Sequence, residues 1–208
     1  MTLQNRVTPF GEIVADPARG TVMGNRGVLH DDAKRLGRKR WAHKNWLVCR
    51  LEFHGRHRQV MSPGVYTELF FLDEAVAFAA GHRPCAECRN ADYKRYKALW
   101  MEASGRTELT AAELDKALHA ERAVPRQYCQ QRHASELAAM PDGAFVTFAD
   151  RPEVAWLVRG ERLFPYAPSG YGAPIARPPG GRVTALTPPA TQKVLAAGYR
   201  PQVHASAT

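Results

Sequence analysis

Two cysteines set two residues apart carry the clearest chemical signal in this sequence of 208 residues. Cys85 and Cys88 lie in the run RPCAEC, directly after Pro84. Two thiolates at this spacing share one tight turn and can bind a single metal ion, which is usually zinc held tetrahedrally. The pair therefore predicts a metal site, completed by ligands from elsewhere in the chain.

The cellular compartment decides how such a pair is interpreted. The N-terminal run MTLQNRVTPF has no secretory h-region. No apolar run approaches the ~20 residues of a membrane span. We therefore expect a cytoplasmic protein with reduced thiols and no membrane partner. In that setting the pair indicates metal or redox chemistry rather than a structural disulfide.

The turn that carries the pair lies between two predicted helices. Asp73 and Glu74 begin the first, because acidic side chains suit the positive end of a helix. Gly81 ends it, as glycine does just beyond a helix C-terminus. A second, amphipathic helix is predicted over residues 91–103, with a core-facing aromatic stripe. The stripe consists of Tyr93, Tyr96 and Trp100.

A third cysteine lies in the run NWLVCRLEF, whose β-branched and aromatic content predicts a strand. A turn at HGRHR and a return at QVM then predict a hairpin. Alternation along the strand gives one face to Leu47, Cys49, Leu51 and Phe53. Two interpretations of Cys49 follow, a buried packing residue and a metal ligand.

Zinc-dependent nucleobase deaminases suggest another ligand set. They combine P-C-x-x-C with H-x-E, in which the histidine binds zinc and the glutamate moves protons. This chain has PCAEC and also His119-Ala120-Glu121, although in the reverse order. Three protein ligands would leave the metal open to an activated water, with Glu121 as general base. In the alternative interpretation His119 is a favourable cation at a helix C-terminus.

A third possible ligand set uses Cys129 and His133. Both lie in the run YCQQRHASEL, which is predicted to be helical. Residues four apart share one helix face, so both side chains could join the cysteine pair in a structural zinc site.

The charge of the chain favours an anionic partner. Its formal net charge is +9 and its pI is about 9.7. A surplus of this size indicates nucleic acid first and a membrane surface second, or else a solvated basic surface. Trp41 lies among the basic residues and either stacks a base or packs in the core. The candidate nucleic-acid contacts are Arg38, Lys39, Arg40, Lys44, Arg56, Arg58, Arg83 and Arg89.

The run LDEAVAFAAGHRPCAEC resembles the second half of the zinc-binding domain of the Ada family of DNA-repair proteins. In that family an EAxAAGxRPCxxC pattern follows a strand and supplies two zinc cysteines. The resemblance extends from Trp46 to Arg89 and leaves the remainder of the chain unrecognised.

The resemblance also implies where the other ligands lie. The family has a strand ending in Cys-Arg, whose cysteine binds zinc and accepts a methyl group from DNA phosphotriesters; Cys49 matches that position. Phe53 stands where the family has a further cysteine, and the adjacent His54 is the replacement ligand. The implied zinc set is Cys49, His54, Cys85 and Cys88. We carry over zinc and DNA binding but not the repair reaction.

The fold class follows from the remaining pattern. Thr110 and Glu113 form a capping box that begins a helix ending near Glu121. The C-terminal third contains the short strands GAFVTF, EVAWLV, ERLFPY and RVTALT, with a hairpin turn at residues 158–161 and a final helix, PPATQKVLAA. We expect an α+β protein, with a basic zinc module over residues 1–104 and a helical and β-rich part over 105–208 packed on it.

The expected function is zinc-dependent DNA binding in the repair or processing of damaged or modified DNA. One alternative is a zinc-dependent hydrolase or deaminase that acts on a nucleobase. Another is a structural zinc module that mediates protein contacts. The sequence leaves open whether the chain is an enzyme.

Overall fold

Capping residues mark the helix ends in the structure, a computed structural model that describes residues 2–55 and 59–208. The side chain of Asp73 accepts a hydrogen bond from the Val76 amide, and the predicted capping box of Thr110 and Glu113 is formed. No helix in the described part of the chain has the length and apolar character needed to cross a membrane. The helices are α1 (Glu74–Ala79), α2 (Asn90–Ser104), α3 (Ala111–Arg122) and α4 (Pro189–Ala196).

The first sheet is built from the N-terminal half of the chain. Its strand order is β2-β1-β5-β3-β4-β6. β4 lies between β3, which runs antiparallel to it, and the short β6, which runs parallel to it. The strands are β1 (Gln4–Val7), β2 (Ile13–Ala15), β3 (Val22–Asn25), β4 (Leu47–Cys49), β5 (Leu69–Phe71) and β6 (Arg83–Pro84).

The second sheet is built from the C-terminal part, where the predicted short strands are confirmed. Its order is β11-β10-β9-β8-β13-β7, and β12 pairs with β10. Arg159 pairs with Arg162 across the predicted hairpin turn. The strands are β7 (His133–Glu136), β8 (Phe145–Phe148), β9 (Arg151–Arg159), β10 (Arg162–Ala167), β11 (Gly170–Tyr171), β12 (Ile175–Ala176) and β13 (Arg182–Ala185). A 3₁₀ turn covers Leu137–Ala139.

The strand around the third cysteine differs from the prediction. It ends at Cys49, and residues 59–61, where the return was predicted, form no strand. Residues 56–58 of the predicted turn lie outside the described residues. Val48 is fully buried in the core, whereas Cys49 is half-buried and Leu51 is 46% exposed. The face that carries Leu47, Cys49 and Leu51 is therefore not the buried face of the strand. Because neighbouring strand residues point to opposite sides, Cys49 faces away from the core that holds Val48.

The predicted helix over residues 128–137 is also wrong. Arg126 and Tyr128 have positive φ angles of 65° and 54°, which a right-handed helix does not allow. Ala123 and Gln130 form an isolated bridge, and β7 pairs with β13. Pairing with a distant strand has overridden the local helical pattern.

One hydrophobic core joins the two halves of the chain. The cluster of buried residues runs from Val7 to Ala207 and includes side chains of both sheets. All of α1 is buried, and the C-terminal segment is bonded to its first turn. Tyr199 donates a hydrogen bond to Glu74 (2.9 Å), and Tyr171 donates one to Asp73 (2.7 Å). The acidic pair predicted to begin α1 thus also holds the two halves together.

Candidate metal centre

The pairing of β4 with β6 brings the third cysteine to the CxxC turn. Val48 lies opposite Pro84, and the Cys85 amide donates to the Val48 carbonyl at 3.0 Å. The next residue of each strand is a cysteine, so Cys49 and Cys85 emerge side by side. Cys88 follows on the turn that leads into α2, where the Arg89 amide donates to the Cys85 carbonyl at 3.1 Å.

The three sulfur atoms lie close enough to share one metal ion. The Sγ atoms of Cys49, Cys85 and Cys88 are all within 4.8 Å of one another. Sulfurs bound tetrahedrally to zinc at about 2.3 Å are about 3.8 Å apart, so little movement would be needed. Among the described residues, the group contains no fourth side chain from His, Cys, Asp or Glu.

The hydrogen bonds around the sulfurs also suit thiolate ligands. The Cys49 thiol and then the Cys88 thiol lower the pKa of Cys85, and the amides of Cys88 and Glu87 add to this effect. The same contact with Cys85 raises the pKa of Cys49. Thiols at this distance compete for one negative charge, and a bound cation would remove that competition.

A cavity of about 360 Å³ opens beside the cysteines. Its volume is within the range of small-molecule sites in proteins, and its wall combines apolar, aromatic and charged side chains. A metal held by three cysteines would keep one side turned to this space. The lining residues besides the cysteines are Met23, Arg50, Leu51, Phe53, Val60, Tyr66, Glu68, Phe70 and Glu87.

His54, the ligand implied by the Ada resemblance, lies outside the cysteine group. It is exposed, has a positive φ of 52°, and its ring is 4.0 Å from that of Phe53. The chain leaves β4 after Cys49, so a residue five positions later is not carried back to the sulfurs by the strand. The structure therefore does not bring His54 to the three cysteines, as the predicted ligand set required.

The structure does not bring the deaminase-like pair to the cysteines. His119 packs edge-on against Trp41 and Trp46, with ring centroids 5.7 and 5.8 Å away. The Glu121 carboxylate accepts a hydrogen bond from the Ala190 amide at the start of α4 (2.7 Å). Both residues belong to the regular helix α3 and serve packing and helix contacts.

Cys129 and His133 are likewise separate from the metal centre. Cys129 is exposed, and its sulfur lies 3.8 Å from Gln127 Oε1. His133 is on β7, where its Nε2 lies 2.8 Å from the Glu121 carbonyl. Without the predicted helix the two side chains do not share a face.

The predicted nucleic-acid contacts divide into two groups. Arg83 and Arg89 are buried in ion pairs with Asp115 (2.7 Å) and Glu74 (2.9 Å), so they do not face a partner. This corrects their predicted role, because Arg83 is held by a carboxylate of α3 and Arg89 by one of α1. Arg56 and Arg58 lie outside the described residues. The remaining basic residues reach solvent: Arg38, Lys39, Arg40 and Lys44.

The cavity is also lined by two carboxylates that were not predicted from the sequence. Glu87 lies inside the CxxC turn itself, and Glu68 precedes β5. Glu68 is 3% exposed and accepts a hydrogen bond from the Met61 amide at 2.8 Å. The position of Glu87 between the two cysteines was a signal available in the sequence, whereas that of Glu68 was not.

Comparison of the chain with protein-family models, with curated proteins and with solved structures finds no match. The chemistry of the site is therefore argued from its own geometry. That geometry is a group of three cysteines able to bind a metal ion beside an open cavity.

Proposed function

We propose that this chain is a zinc-dependent DNA-binding protein that takes part in the repair or processing of modified DNA. The observation that carries the proposal is the opening of the cysteine group onto a cavity next to Arg50. The Arg50 side chain is exposed and lines the same cavity. A phosphate held by that guanidinium would lie beside the metal centre.

Zinc fits the donor set better than magnesium or calcium does. Three thiolates are soft ligands, which favour zinc, copper(I) or iron–sulfur clusters over magnesium or calcium. Cys49, Cys85 and Cys88 would hold the ion, and zinc so held acts as a Lewis acid at its remaining position. The backbone amides of Cys88 and Glu87, which donate to the Cys85 sulfur, would orient that ligand.

The basic segment supports an anionic partner of extended shape. Arg38, Lys39 and Lys44 project into solvent on the segment between β3 and β4, which joins the ends of these strands that lie away from the cysteines. In this segment Arg35 is paired with Asp31, whereas Arg38, Lys39 and Lys44 form no ion pair with the residues that the structure describes. Phosphates would therefore meet a largely uncompensated positive surface.

DNA binding is tested by its dependence on salt. The zinc-loaded protein and a fluorescent DNA oligonucleotide are titrated from about 50 to 200 mM salt, and log Kd is plotted against log salt. The triple variant Arg38→Ala, Lys39→Ala, Arg40→Ala should make this plot less steep, by an amount that corresponds to the loss of up to about three phosphate contacts. No binding at low salt would refute the proposal.

A charge-matched control is available on the second sheet. The triple variant Arg151→Ala, Arg159→Ala, Arg162→Ala removes the same charge from exposed positions of β9 and β10. It should keep the wild-type slope if the basic segment is the interface. Equal losses from both triples would mean that net charge alone attracts DNA.

A second candidate function is a zinc-dependent hydrolase that acts on a nucleobase. The observation that favours it is the presence of Glu68 and Glu87 in the wall of the cysteine cavity. A carboxylate within reach of the metal and substrate can move the proton that hydrolysis requires. In this proposal Glu87 replaces Glu121 as the candidate general base.

Turnover of the zinc-loaded protein on single-stranded oligonucleotides separates the two candidates. Product analysis by mass spectrometry would detect release of ammonia or of a base. If the chain is a hydrolase, Glu87→Gln should keep zinc and slow turnover by ~10²–10⁴-fold, and Glu121→Gln should not. Salt-sensitive binding without turnover would support the DNA-binding candidate alone.

A further inference from the structure

A second pocket lies near the other end of the β3–β4 pair, away from the cysteines. Met23 and Cys49 pair across these strands at the metal end, and Arg26 and Trp46 flank the opposite end. Cys49 is three residues from Trp46, about 10 Å along an extended strand. The pocket has a volume of about 370 Å³. It is lined by Phe10, Gly11, Glu12, Ile13, Val14, Arg26, Arg40, Trp41, Trp46, Tyr128, Cys129, Gln130 and Arg132.

Aromatic rings form one side of this pocket. Trp41 is half-buried, with its ring centroid 5.3 Å from that of Trp46 and 5.1 Å from that of Tyr128. Trp46 is buried, and Tyr128 is 36% exposed. The rings of Trp41 and Tyr128 are thus the ones that can still receive a planar ligand.

Buried positive charge lies behind the rings. The guanidinium groups of Arg26 and Arg122 each lie 4.3 Å from the centroid of Trp46. Arg26 is 2% exposed and Arg122 is fully buried. Within residues 2–55 and 59–208 neither forms an ion pair. Arg26 lines the pocket and Arg122 lies behind Trp46, so the positive charge of both favours an anion at the open side.

The protein leaves hydrogen-bonding capacity in this pocket. Arg26 donates to His82 Nε2 and to the carbonyls of Gly11 and Ala80, which uses three of its five N–H groups. Gln130 also lines the pocket, and its Oε1 atom is buried without a hydrogen-bond partner among the described residues.

The mouth of the pocket adds two further arginines and a strained loop. Arg40 and Arg132 line it, opposed by the single carboxylate of Glu12. Tyr128 and Arg126 have positive φ angles, which non-glycine residues adopt only when the surrounding structure imposes them. Such strain concentrates where a side chain must be held for a ligand.

We propose that this pocket binds one nucleotide unit, with the base stacked on Trp41 and Tyr128 and the phosphate paired with Arg40 and Arg132. The combination of aromatic rings, buried cations and an unsatisfied amide oxygen matches a flat, hydrogen-bonding, anionic ligand. The nucleotide is either free or part of a single strand. Binding of a nucleotide within a single strand rests on the proposed DNA binding, whereas binding of a free nucleotide does not.

Four probes test the ligand class on the zinc-loaded protein. Adenosine monophosphate is compared with adenosine, which lacks the phosphate, and with ribose 5-phosphate, which lacks the base; binding is followed by tryptophan fluorescence. The fourth probe is a short single strand carrying 2-aminopurine, whose fluorescence falls when it stacks. Adenosine monophosphate or the strand should bind more tightly than either fragment.

Variants of the rings and of the mouth identify the pocket. Trp41→Leu and Tyr128→Ala should each weaken binding by between about 5-fold and 150-fold, the usual effect of one lost stacking contact. Arg40→Gln should weaken binding of the probes that carry a phosphate and should leave the affinity for adenosine unchanged. The matched controls Ile175→Ala and Arg151→Gln, both at exposed positions of the second sheet, should bind like wild type.

The outcomes separate this proposal from the proposed function. If the single strand binds and Trp41→Leu weakens that binding, the result supports both the nucleotide pocket and the proposed DNA binding. If the mononucleotide binds but the single strand does not, the result supports the pocket and counts against DNA as the partner. Failure of every probe to bind folded wild type overturns the pocket. Binding that is unchanged in both Trp41→Leu and Tyr128→Ala also overturns it, even when the metal is bound and DNA affinity is intact.

Discussion

At the scale of single residues, the metal centre depends on three sulfurs supplied by a strand end and a turn. We expect Cys49→Ser, Cys85→Ser and Cys88→Ser each to lose most of the bound zinc, because a lost ligand opens the site. Zinc per chain is measured by elemental analysis after dialysis. Cys129→Ser and His119→Ala are the controls and should keep it; full zinc in Cys49→Ser would show that this cysteine is only a packing residue.

The buried ion pair of Arg83 with Asp115 is the second residue-scale feature. Arg83 donates two hydrogen bonds to the carboxylate, at 2.8 and 2.7 Å, in a place where neither group reaches water. Asp115→Ala should lower the free energy of unfolding by about 3–5 kcal/mol, because it leaves the charge of Arg83 buried and unpaired. Denaturant titration measures it. The control is Asp31→Ala, whose exposed pair should contribute about 0–1 kcal/mol.

Histidines near the buried arginines should make stability depend on pH. Burial, followed by the charges of Arg122 and Lys44, lowers the pKa of His119 to about 4. Burial also lowers the pKa of His82 well below its usual value. The folded protein then binds fewer protons than the unfolded chain between about pH 6.5 and pH 4, so stability falls as the pH falls through that window.

The test compares wild type with His119→Gln across that window. Burial raises the pKa of Asp73 and Glu74, which acts in the opposite direction, so the difference between the two proteins is the diagnostic quantity. Wild type should lose more stability than His119→Gln between pH 7 and pH 4.5, as measured by urea denaturation. Parallel curves of stability against pH for the two proteins would contradict this role of His119. His204→Gln is the control, because it removes one histidine elsewhere in the chain.

At the scale of elements, α3 supports the CxxC turn from outside the metal site. The helix begins at the capping box of Thr110 and Glu113, and it carries Asp115, the partner of Arg83 next to Pro84. Thr110→Ala should lower the free energy of unfolding by ~1 kcal/mol, because the amide of the third helical residue loses its acceptor. Thermal unfolding followed by circular dichroism measures this change. Thr107→Ala, in the exposed loop before the helix, should have no effect.

At the scale of the whole molecule, the two sheets share one core, and the cysteine group joins β4 to the turn before α2, where a bound metal would link them. We expect one cooperative unfolding transition, seen at the same temperature by tryptophan fluorescence and circular dichroism. Chelation should lower that temperature in both signals, because ligation free energy is part of the folding free energy. The chelated Cys85→Ser variant should show no further drop. Two separated transitions would instead indicate independent units.

The sequence by itself determined the features that depend on short spacing. The CxxC turn, the cap of α1, the capping box of α3 and the strands of the second sheet were all predictable, because their signals come from residues a few positions apart. The α+β class followed from those elements. Local pattern failed where a distant strand intervened, as at His133–Glu136, where pairing of β7 with β13 replaces the predicted helix.

Only the tertiary structure decided which distant residues meet. The parallel pairing of Val48 with Pro84 brings Cys49 to Cys85 and Cys88, and it leaves His54 and His119 outside that group. Folding also buries Arg89 against Glu74, although its charge alone suggested a phosphate contact. Strand register and burial are set by packing over the whole core. A residue's type and its near neighbours therefore do not determine its partners.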